Sequence, residues 1–517
     1  MSNHTHKRLK TVGLVILITL LGKMLGLGRN MLIGQSFGTG FEADALATAS
    51  HLPSLLFDAV FAAAVAASFI PVFSESLERH GREEADRLAR SFFTVVGLAA
   101  ALLAVLGMLF APSLINLLAN FDSQRAVLAA RLLSIIFPSL FFTAIAFSMV
   151  GMLNSLGEFK IPAAMSTVSN GIMILYFLFF VSRFGVYGAA VAMLIGWVAQ
   201  ALLQVPSLVK KGFRYRPRLW HPDLKKIFRL MLPVMVGTWT VPINMAIILG
   251  FASTLYGGTS SVSLANGLYI MIAGIFVLSV TNVIFPEMSR LSASGDRHAF
   301  CGIVRDTTRT LLFLLIPMTV GLALLSTPLV RLLYEYRQFD AESTRLTASA
   351  LFFMSFGMVG YGIQNMLIRV FYAEKRGKIP LLSGVVSVAV NLTLCLLLVD
   401  VMGVAGLGIA SAASLLATSF VLIPATHRLL GEGFLTRTFL WALSKMGLAA
   451  VFMGLVVFVV HAVLARALGD SVLERLLLVG IPAIVGVLTY MGLAHVFRLD
   501  EIKTVFSLIR RRRKGDA

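Results

Sequence analysis

The sequence predicts an all-α polytopic membrane protein with about 14 transmembrane helices, and its composition and apolar pattern support this. Apolar residues make up 58% of the 517 residues and charged residues only 13%, about half the roughly 25% that is usual in soluble domains. The mean hydropathy is +0.87. The apolar runs are continuous rather than alternating, which indicates helices and not the strands of a barrel.

The individual spans are apolar runs of about 20 residues or more, separated by polar or basic breaks. Their predicted extents, in chain order, are 11–37, 44–76, 88–111, 126–153, 160–182, 187–209, 227–256, 262–289, 303–326, 344–372, 379–400, 404–427, 439–465 and 473–497. The basic start of the chain precedes a run without a small-residue cleavage site, so we expect no cleaved leader.

The basic residues predict the orientation of these spans. The net charge is +19, with 44 basic and 25 acidic residues. Alternate loops hold 32 of the lysines and arginines, whereas the opposite set of loops holds six. Because cytoplasmic loops carry the excess of Lys and Arg, both termini are predicted to be cytoplasmic. The basic tail 499–517 serves either as a topology anchor or as a contact for anionic lipid.

An internal repeat divides the chain into two halves. Ile161-Pro162 is echoed by Ile379-Pro380, and Gly185 is echoed by Gly403 at the same offset along the chain. Each repeat contains six predicted helices, an even number, so both repeats enter the membrane from the same side and form two lobes around a central cavity. The alternative interpretation is duplicated packing without transport.

The predicted domains follow from this repeat. We expect a six-helix lobe at 1–209, a basic cytoplasmic linker at 210–229, a second six-helix lobe at 230–430, two additional transmembrane helices at 431–498 and the tail at 499–517.

Charged residues inside the spans are the candidate site residues, since a charge at the bilayer centre costs about 2.5–3.5 kcal/mol even on mild scales. Lys23 and Arg29 lie in the first span, among Gly22, Gly26 and Gly28. In a straight helix the two cations diverge by roughly 120°, but glycines permit a bend or the close approach of a neighbour. Together the cations predict a site for an anionic group, of which phosphate is the commonest. The alternative is that each side chain reaches the membrane surface.

Two acidic residues accompany these cations. Asp58 lies inside the second span, where it either pairs with Lys23 or Arg29 or gates the cavity. Asp44 lies between the first two spans and is interpreted as a solvated helix cap, with gating or charge compensation as its functional role.

Several classes of protein lack support in this sequence. There is no phosphate-binding nucleotide loop, so ATP hydrolysis is not expected. Cys301 and Cys395 are too few for a zinc site or a disulfide framework, and we expect no metal and no cofactor. No outer loop exceeds about 20 residues, which leaves little room for a membrane glycan polymerase or ligase, so we predict a transporter and not an enzyme.

Several short motifs of the chain have a recognisable pattern: Gly26-Leu27-Gly28-Arg29-Asn30, Phe37-Gly38-Thr39-Gly40, Ala43-Asp44-Ala45, His51-Leu52-Pro53, Ser68-Phe69-Ile70-Pro71, the stretch from Leu153 to Pro162 and the stretch from Arg369 to Pro380. With these motifs the chain resembles the MurJ (MviN) family over essentially its whole length. Members of that family flip lipid II, and the family shares six-helix lobes with the multidrug/oligosaccharidyl-lipid/polysaccharide exporter superfamily.

The resemblance implies roles for individual residues. Arg29 matches a family arginine of a cationic cluster that holds pyrophosphate, and Asp44 matches a family aspartate. Lys23 stands where many members have arginine, and Asn30 replaces an aspartate. The implied substrate-binding residues are therefore Lys23, Arg29 and Asn30, with Asp44 and Asp58 for gating or charge compensation.

Three positions depart from the family pattern. Phe57 and Asp58 stand where many members carry arginines, and Gly267 stands where the eighth helix usually has one. Either pyrophosphate is held differently here, or the substrate is a related polyprenyl-linked glycan.

These observations predict a lipid II flippase that moves the undecaprenyl-pyrophosphate-linked peptidoglycan precursor from the inner to the outer leaflet by alternating access, without ATP. The alternatives are an exporter of another undecaprenyl-linked oligosaccharide and, from another class, a membrane-embedded polyprenyl-glycan polymerase or ligase. We expect a monomer in the bacterial cytoplasmic membrane that contacts membrane lipids and the cell-wall synthesis machinery, and no nucleic acid.

Overall fold

The computed structural model describes residues 2–62 and 64–502, and every regular element it assigns there is helical. The chain forms two compact units. Unit 1 comprises Met1–Ser260 with Tyr336–Phe339, and unit 2 comprises Ser261–Glu335 with Asp340–Ala517. The predicted lobe and linker boundaries at 209, 229 and 430 stay a prediction. Most of the predicted tail, 503–517, lies outside the described residues.

Unit 1 contains the first eleven α-helices. They are α1 (Ser2–Phe37), α2 (Phe41–Phe57), α3 (Ile70–Arg79), α4 (Arg82–Leu109), α5 (Ala111–Leu118), α6 (Ser123–Ile136), α7 (Ser139–Ser155), α8 (Lys160–Phe179), α9 (Val181–Lys210), α10 (Leu224–Thr238) and α11 (Thr240–Ala252). Two π-helical segments, Asp58–Ala62 and Ala64–Phe69, lie between α2 and α3. The helices α1, α8 and α9 pack side by side, and α9 also packs against α7.

Unit 2 contains the remaining helices. They are α12 (Gly258–Ser294, which begins just before the unit boundary), α13 (Arg297–Leu324), α14 (Ser326–Tyr334), α15 (Ala341–Ser355), α16 (Met358–Ala373), α17 (Lys378–Met402), α18 (Val404–Leu430), α19 (Arg437–Ala467) and α20 (Val472–Val496). The helix α18 packs against α15, α16 and α17, and α13 packs against α16 and α19.

The polytopic membrane architecture is confirmed, with a slightly different count of spans. Among the described residues, 12 helices are long and apolar enough to cross a membrane, or 13 if the pair α15 and α16, bent by 47°, is one span. The predicted span at 227–256 accounts for the difference, because it is divided into α10 and α11. Both are shorter than the roughly 20 residues that a straight crossing needs.

The division of that span has a local cause. The helix breaks at Trp239, and Pro242 is the third residue of α11. Proline has no N–H to donate to a carbonyl one turn earlier and its ring clashes there, so a helix cannot continue through this point undisturbed. The exposed Trp239 indole donates instead to the Ala59 carbonyl oxygen at 2.9 Å, which joins α11 to the π-helical segment.

The sequence repeat recurs in the backbone geometry of the two units. Gly185 and its repeat partner Gly403 have φ angles of 51° and 56°. Gly157 and Lys375, which are separated by the same offset, have φ angles of 74° and 56°. Of these four residues only Lys375 is not a glycine, and positive φ is uncommon for such a residue. Two pairs of positive φ angles at the same offset along the chain therefore indicate that the two halves share a local chain geometry.

Within unit 2, a charge network connects the last two helices, α19 and α20, to α14. Arg475 of α20 pairs with Asp470 at 2.7 Å and with Glu335 at 3.5 Å. Arg331 of α14 contacts the same two acids, each at 3.0 Å. A network of several charges holds its geometry better than an isolated surface pair, and it fixes the α19–α20 loop against the end of α14.

Candidate functional site

The glycines of the first helix pack against α8. A Cβ atom added at Gly22 would lie 2.3 Å from the Ser166 hydroxyl, and one at Gly26 would lie 3.2 Å from the Asn170 amide nitrogen. The buried Asn170 side chain donates to the Gly22 carbonyl oxygen at 3.0 Å. The glycines are therefore used for close approach between membrane helices, as small residues commonly are.

Arg29 follows this glycine stretch and is half-buried. Its Nη2 and Nε atoms donate to the Asn30 amide oxygen at 2.9 and 3.2 Å. The guanidinium also lies within electrostatic range of the His51 ring on α2. Because the amide of Asn30 is a neutral acceptor, it orients the guanidinium without cancelling its positive charge.

Lys23 lies on the same helix but in a different environment. Its side chain is exposed, whereas Arg29 is half-buried. Since α1 is one helix from Ser2 to Phe37, the spacing of six positions between the two cations corresponds to a rotation that leaves them roughly 120° apart. The structure thus places both cations on one helix but on different faces.

Asp58 begins the first π-helical segment, and its side chain is exposed. Within the described part of the chain its carboxylate forms no ion pair, so the pairing considered with Lys23 or Arg29 is not formed. A π-helical turn inside a helix is rare and occurs frequently at functional sites. The neighbouring Phe57 is buried, with its ring 4.8 Å from that of Phe147, so it packs where many members of the resembled family carry charge.

Asp44 is fully buried, and the expectation of a solvated cap is wrong. Its carboxylate accepts hydrogen bonds from the Gly257 N–H at 2.8 Å, the Ser260 N–H at 2.9 Å and the Ser260 hydroxyl at 2.8 Å. These donors form the turn that begins α12. A carboxylate at a helix N-terminus is stabilised by the helix dipole, which explains why a charge is kept in this buried place.

Arg125 completes the Asp44 cluster, and the sequence did not single it out. Its Nη1 lies 3.6 Å from the Asp44 carboxylate, and its Nε pairs with Asp122. The guanidinium also lies 5.4 Å from the centre of the Phe121 ring and 5.8 Å from that of Tyr256. The only signal in the sequence was the spacing of three positions between Asp122 and Arg125 at the start of a predicted helix. That spacing is equally typical of an ion pair on the protein surface, so it did not indicate a buried cluster.

Among the described residues no group of three or more His, Cys, Asp or Glu could hold a metal ion. Cys301 and Cys395 are both buried free thiols. Gly267, in α12 of unit 2, is half-buried. The predicted binding residues Lys23, Arg29 and Asn30 remain a prediction, as do the gating roles of Asp44 and Asp58.

Comparison with known proteins gives a consistent result. The family model described as "Lipid II flippase MurJ" matches residues 33–478. The probable lipid II flippase MurJ of Rhizobium meliloti (strain 1021) is 30% identical over 424 residues, covering 78% of this chain and 77% of the relative. That of Bdellovibrio bacteriovorus is 27% identical over 509 residues, covering 96% of each chain. That of Treponema pallidum (strain Nichols) is 29% identical over 430 residues, covering 80% of this chain and 81% of the relative.

The chain also has a fold similar to that of solved structures. The chain matches "Lipid II flippase MurJ, inward closed conformation" with a TM-score of 0.79 and 24% identity, covering 95% of this chain and 99% of that one. It also matches an inward-facing multidrug resistance MATE family transporter of the MOP superfamily with a TM-score of 0.65 and 16% identity, covering 80% and 97%. At these identities the likeness establishes the fold.

Proposed function

This chain belongs to the lipid II flippase MurJ family, and from that membership we propose that it carries lipid II across the bacterial cytoplasmic membrane. The observation that carries the proposal is the family match over residues 33–478. The function serves peptidoglycan synthesis, and through it cell-wall biogenesis and cell shape. A member of this family is a transporter and not an enzyme.

We propose further that transport runs from the inner to the outer leaflet by alternating access. Two repeats of like orientation are one of the known architectures that support such a cycle. The energy comes from the membrane potential or an ion gradient, since the sequence has no nucleotide-binding loop. The excess of basic residues in one set of loops supports cytoplasmic termini.

In this proposal the first helix supplies the binding site for the pyrophosphate. Arg29, oriented by the Asn30 amide, presents a planar fork that matches phosphate oxygens. Lys23 adds a second positive charge on a flexible stem. Asp58 acts on the binding cycle by charge compensation or gating from its π-helical turn, and Asp44 acts through the turn that it holds.

Complementation tests the proposal directly. The host's own lipid II flippase is depleted, and this chain is expressed in its place. We expect growth and normal cell shape to be restored. A well-expressed, membrane-inserted protein that fails to restore growth would contradict the proposal and favour an exporter of another undecaprenyl-linked oligosaccharide.

A pair of arginine variants tests the site within the same assay. Arg29→Ala should abolish rescue, because it removes the proposed pyrophosphate ligand. Arg369→Ala is the matched control, since Arg369 is also a half-buried arginine but lies 5.7 Å from the centre of the Phe285 ring within unit 2. It should retain rescue. Equal loss in both variants at equal expression would refute the assignment of Arg29.

A further inference from the structure

Unit 1 contains an apolar cavity that lies outside the proposed pyrophosphate site. Its volume is about 910 Å³, within the range of about 300–1,000 Å³ that is typical of sites for small organic ligands. The walls come from α4, α7 and α9, and the roof comes from residues 212–220, an irregular segment that we call the strap. The wall on α4 extends from Phe93 to Ala101, about 12 Å along a helix.

The strap is fixed to α4 by hydrogen bonds through its backbone. Arg90 Nε donates to the Arg214 carbonyl oxygen at 2.9 Å, and the Ser91 hydroxyl donates to the Trp220 carbonyl oxygen at 3.2 Å. The Arg218 N–H donates to the Thr94 hydroxyl at 3.2 Å. The roof of the cavity is therefore a defined surface although it has no regular secondary structure.

The strap alternates between two kinds of residue. Phe213, Tyr215, Pro217 and Leu219 line the cavity. The residues between them are three exposed arginines, Arg214, Arg216 and Arg218. An extended chain directs successive side chains to opposite faces, so one face of the strap is apolar and the other carries three positive charges.

The interior of the cavity is apolar apart from one pair of hydroxyl groups. The hydroxyls of Thr94 and Tyr215 lie 3.0 Å apart and hydrogen-bond to each other. The other lining residues are apolar. Leu98 and Val209 at its edge are more than half exposed, and on membrane helices such exposed aliphatic groups face lipid chains. The cavity therefore opens to the hydrocarbon of one leaflet and suits a hydrocarbon chain.

The charges around the strap specify the rest of the ligand. Among the described residues, none of the three strap arginines forms an ion pair with an acid. Tyr215 and Trp220 are 53% and 70% exposed, and such aromatic residues are enriched at the membrane–water interface. Arginines at that depth attract anionic lipid head groups.

We propose that this cavity binds one acyl chain of an anionic phospholipid, whose phosphate head group is held by the strap arginines. The apolar interior of the cavity suits a hydrocarbon chain, and the positive charges of the strap suit an anionic head group. A single anionic phospholipid has both parts. The site is independent of the flipped substrate, and its occupancy would fix the strap that leads from α9 into α10.

Native mass spectrometry of the full-length protein tests the proposal with two probes of identical acyl chains, palmitoyl-oleoyl phosphatidylglycerol and palmitoyl-oleoyl phosphatidylcholine. We expect one phosphatidylglycerol to be retained more tightly than phosphatidylcholine. Ala101→Trp fills the cavity and should reduce phosphatidylglycerol binding on the order of tenfold or more. Ala465→Trp is the matched control, placed at an exposed position of α19, and should leave binding unchanged.

The charge requirement is tested separately. Replacing Arg214, Arg216 and Arg218 together by Gln should lower phosphatidylglycerol binding on the order of tenfold, to the level of phosphatidylcholine. The matched control replaces three other arginines of the same predicted side by Gln, namely Arg290, Arg428 and Arg437, and should keep the preference.

Other results would overturn the proposal. They include equal binding of both lipids by the unmodified protein, and unchanged phosphatidylglycerol binding in Ala101→Trp. Met149→Trp, which fills the same cavity from α7, provides a second measurement if Ala101→Trp does not fold. A dimer that disappears in either variant would show that a second copy of the chain occupies the cavity instead.

Discussion

Asp122 and Asp340, which occupy equivalent positions in the two repeats, cap two helices in the same way. The Asp122 carboxylate accepts from the backbone N–H of Arg125 at 2.9 Å at the start of α6, and the Asp340 carboxylate accepts from the backbone N–H of Ser343 at 2.8 Å at the start of α15. These backbone hydrogen bonds, and then the side-chain bonds to the same residues, hold the pKa of both carboxyls below the ordinary value of 3.8. Both repeats thus keep the helix cap, but the residue three positions after the aspartate differs. Arg125 adds an ion pair to Asp122, whereas the corresponding Ser343 carries no charge.

That difference predicts different effects of one substitution. Asparagine caps helices as well as aspartate does, so Asp340→Asn should leave the melting temperature nearly unchanged. Asp122→Asn should lower it, because the substitution removes the charge that pairs with the Arg125 side chain. Thermal unfolding of both variants in detergent measures this, and equal melting temperatures would contradict it.

The buried Asp44 predicts a larger loss of stability. Asp44→Ala removes the acceptor of three hydrogen bonds and the negative charge that lies near the Arg125 guanidinium. Breaking a buried ionic contact typically costs about 3–5 kcal/mol, so we expect a marked fall in the melting temperature. The melting temperature of Asp44→Asn should lie between those of the unmodified protein and Asp44→Ala, since asparagine keeps one acceptor oxygen.

Glu42 provides the matched control for this experiment. It is an exposed acid in the first turn of the same helix, and Glu42→Ala should change stability by less than about 1 kcal/mol. If Asp44→Ala and Glu42→Ala unfold at the same temperature, the cluster does not hold the turn before α12.

The contact between α1 and α8 predicts how much volume Gly22 tolerates. Gly22→Ala requires the Ser166 hydroxyl to rotate away from its position 2.3 Å from the new Cβ, which a serine can do at small cost. Gly22→Leu cannot be accommodated without separating the helices, and overpacking of this kind costs about 1–3 kcal/mol. Thermal unfolding should show a clear loss for leucine only. Gly13→Leu on the same helix has no heavy atom within 4 Å of the new Cβ and should be neutral.

Much of the fold was predictable because it depends on local pattern. Continuous apolar runs located the helices, and the recurrence of Gly185 at Gly403, read as part of an internal repeat, pairs two residues that both have a positive φ. The break at Trp239 was missed, since the apolar run continues through Pro242 and hides it.

The candidate site was predictable only in part. The sequence placed Arg29 in the first helix, but not its hydrogen bonds to Asn30. The burial of Asp44 was not predictable, because its donors Gly257 and Ser260 lie far later in the sequence. Contacts of that kind depend on the packing of whole helices, which no local pattern encodes.

Glu374 predicts a dependence of stability on pH. Burial alone would raise the pKa of this carboxyl, but hydrogen bonds from Ser292 and Arg297 outweigh it and hold the pKa below the ordinary value of 4.5. A lowered pKa in the folded state means that the stabilisation is complete above pH 4.5 and is lost as the pH falls through the folded-state value.

The measurement compares the unmodified protein with Glu374→Gln across pH. The variant should melt at a lower temperature at pH 7, and the difference should shrink as the pH falls below about 4.5. Glu287→Gln is the control, because its contact with Arg290 is long, at 3.9 Å, and exposed, and such pairs contribute little. A difference that stays constant with pH would show that the Glu374 charge does not stabilise this end of α12.

The two cations of the first helix should differ in what they tolerate. Arg29 presents both Nε and Nη2 to the Asn30 amide oxygen, so Arg29→Lys loses the planar fork and should reduce complementation strongly at normal expression. Lys23 is exposed and acts as a point charge, so Lys23→Arg should complement fully and Lys23→Gln only partly. Growth rate after depletion of the host flippase measures all three. If Arg29→Lys grew as well as Lys23→Arg, the pyrophosphate would depend on the number of charges rather than on the geometry of the guanidinium.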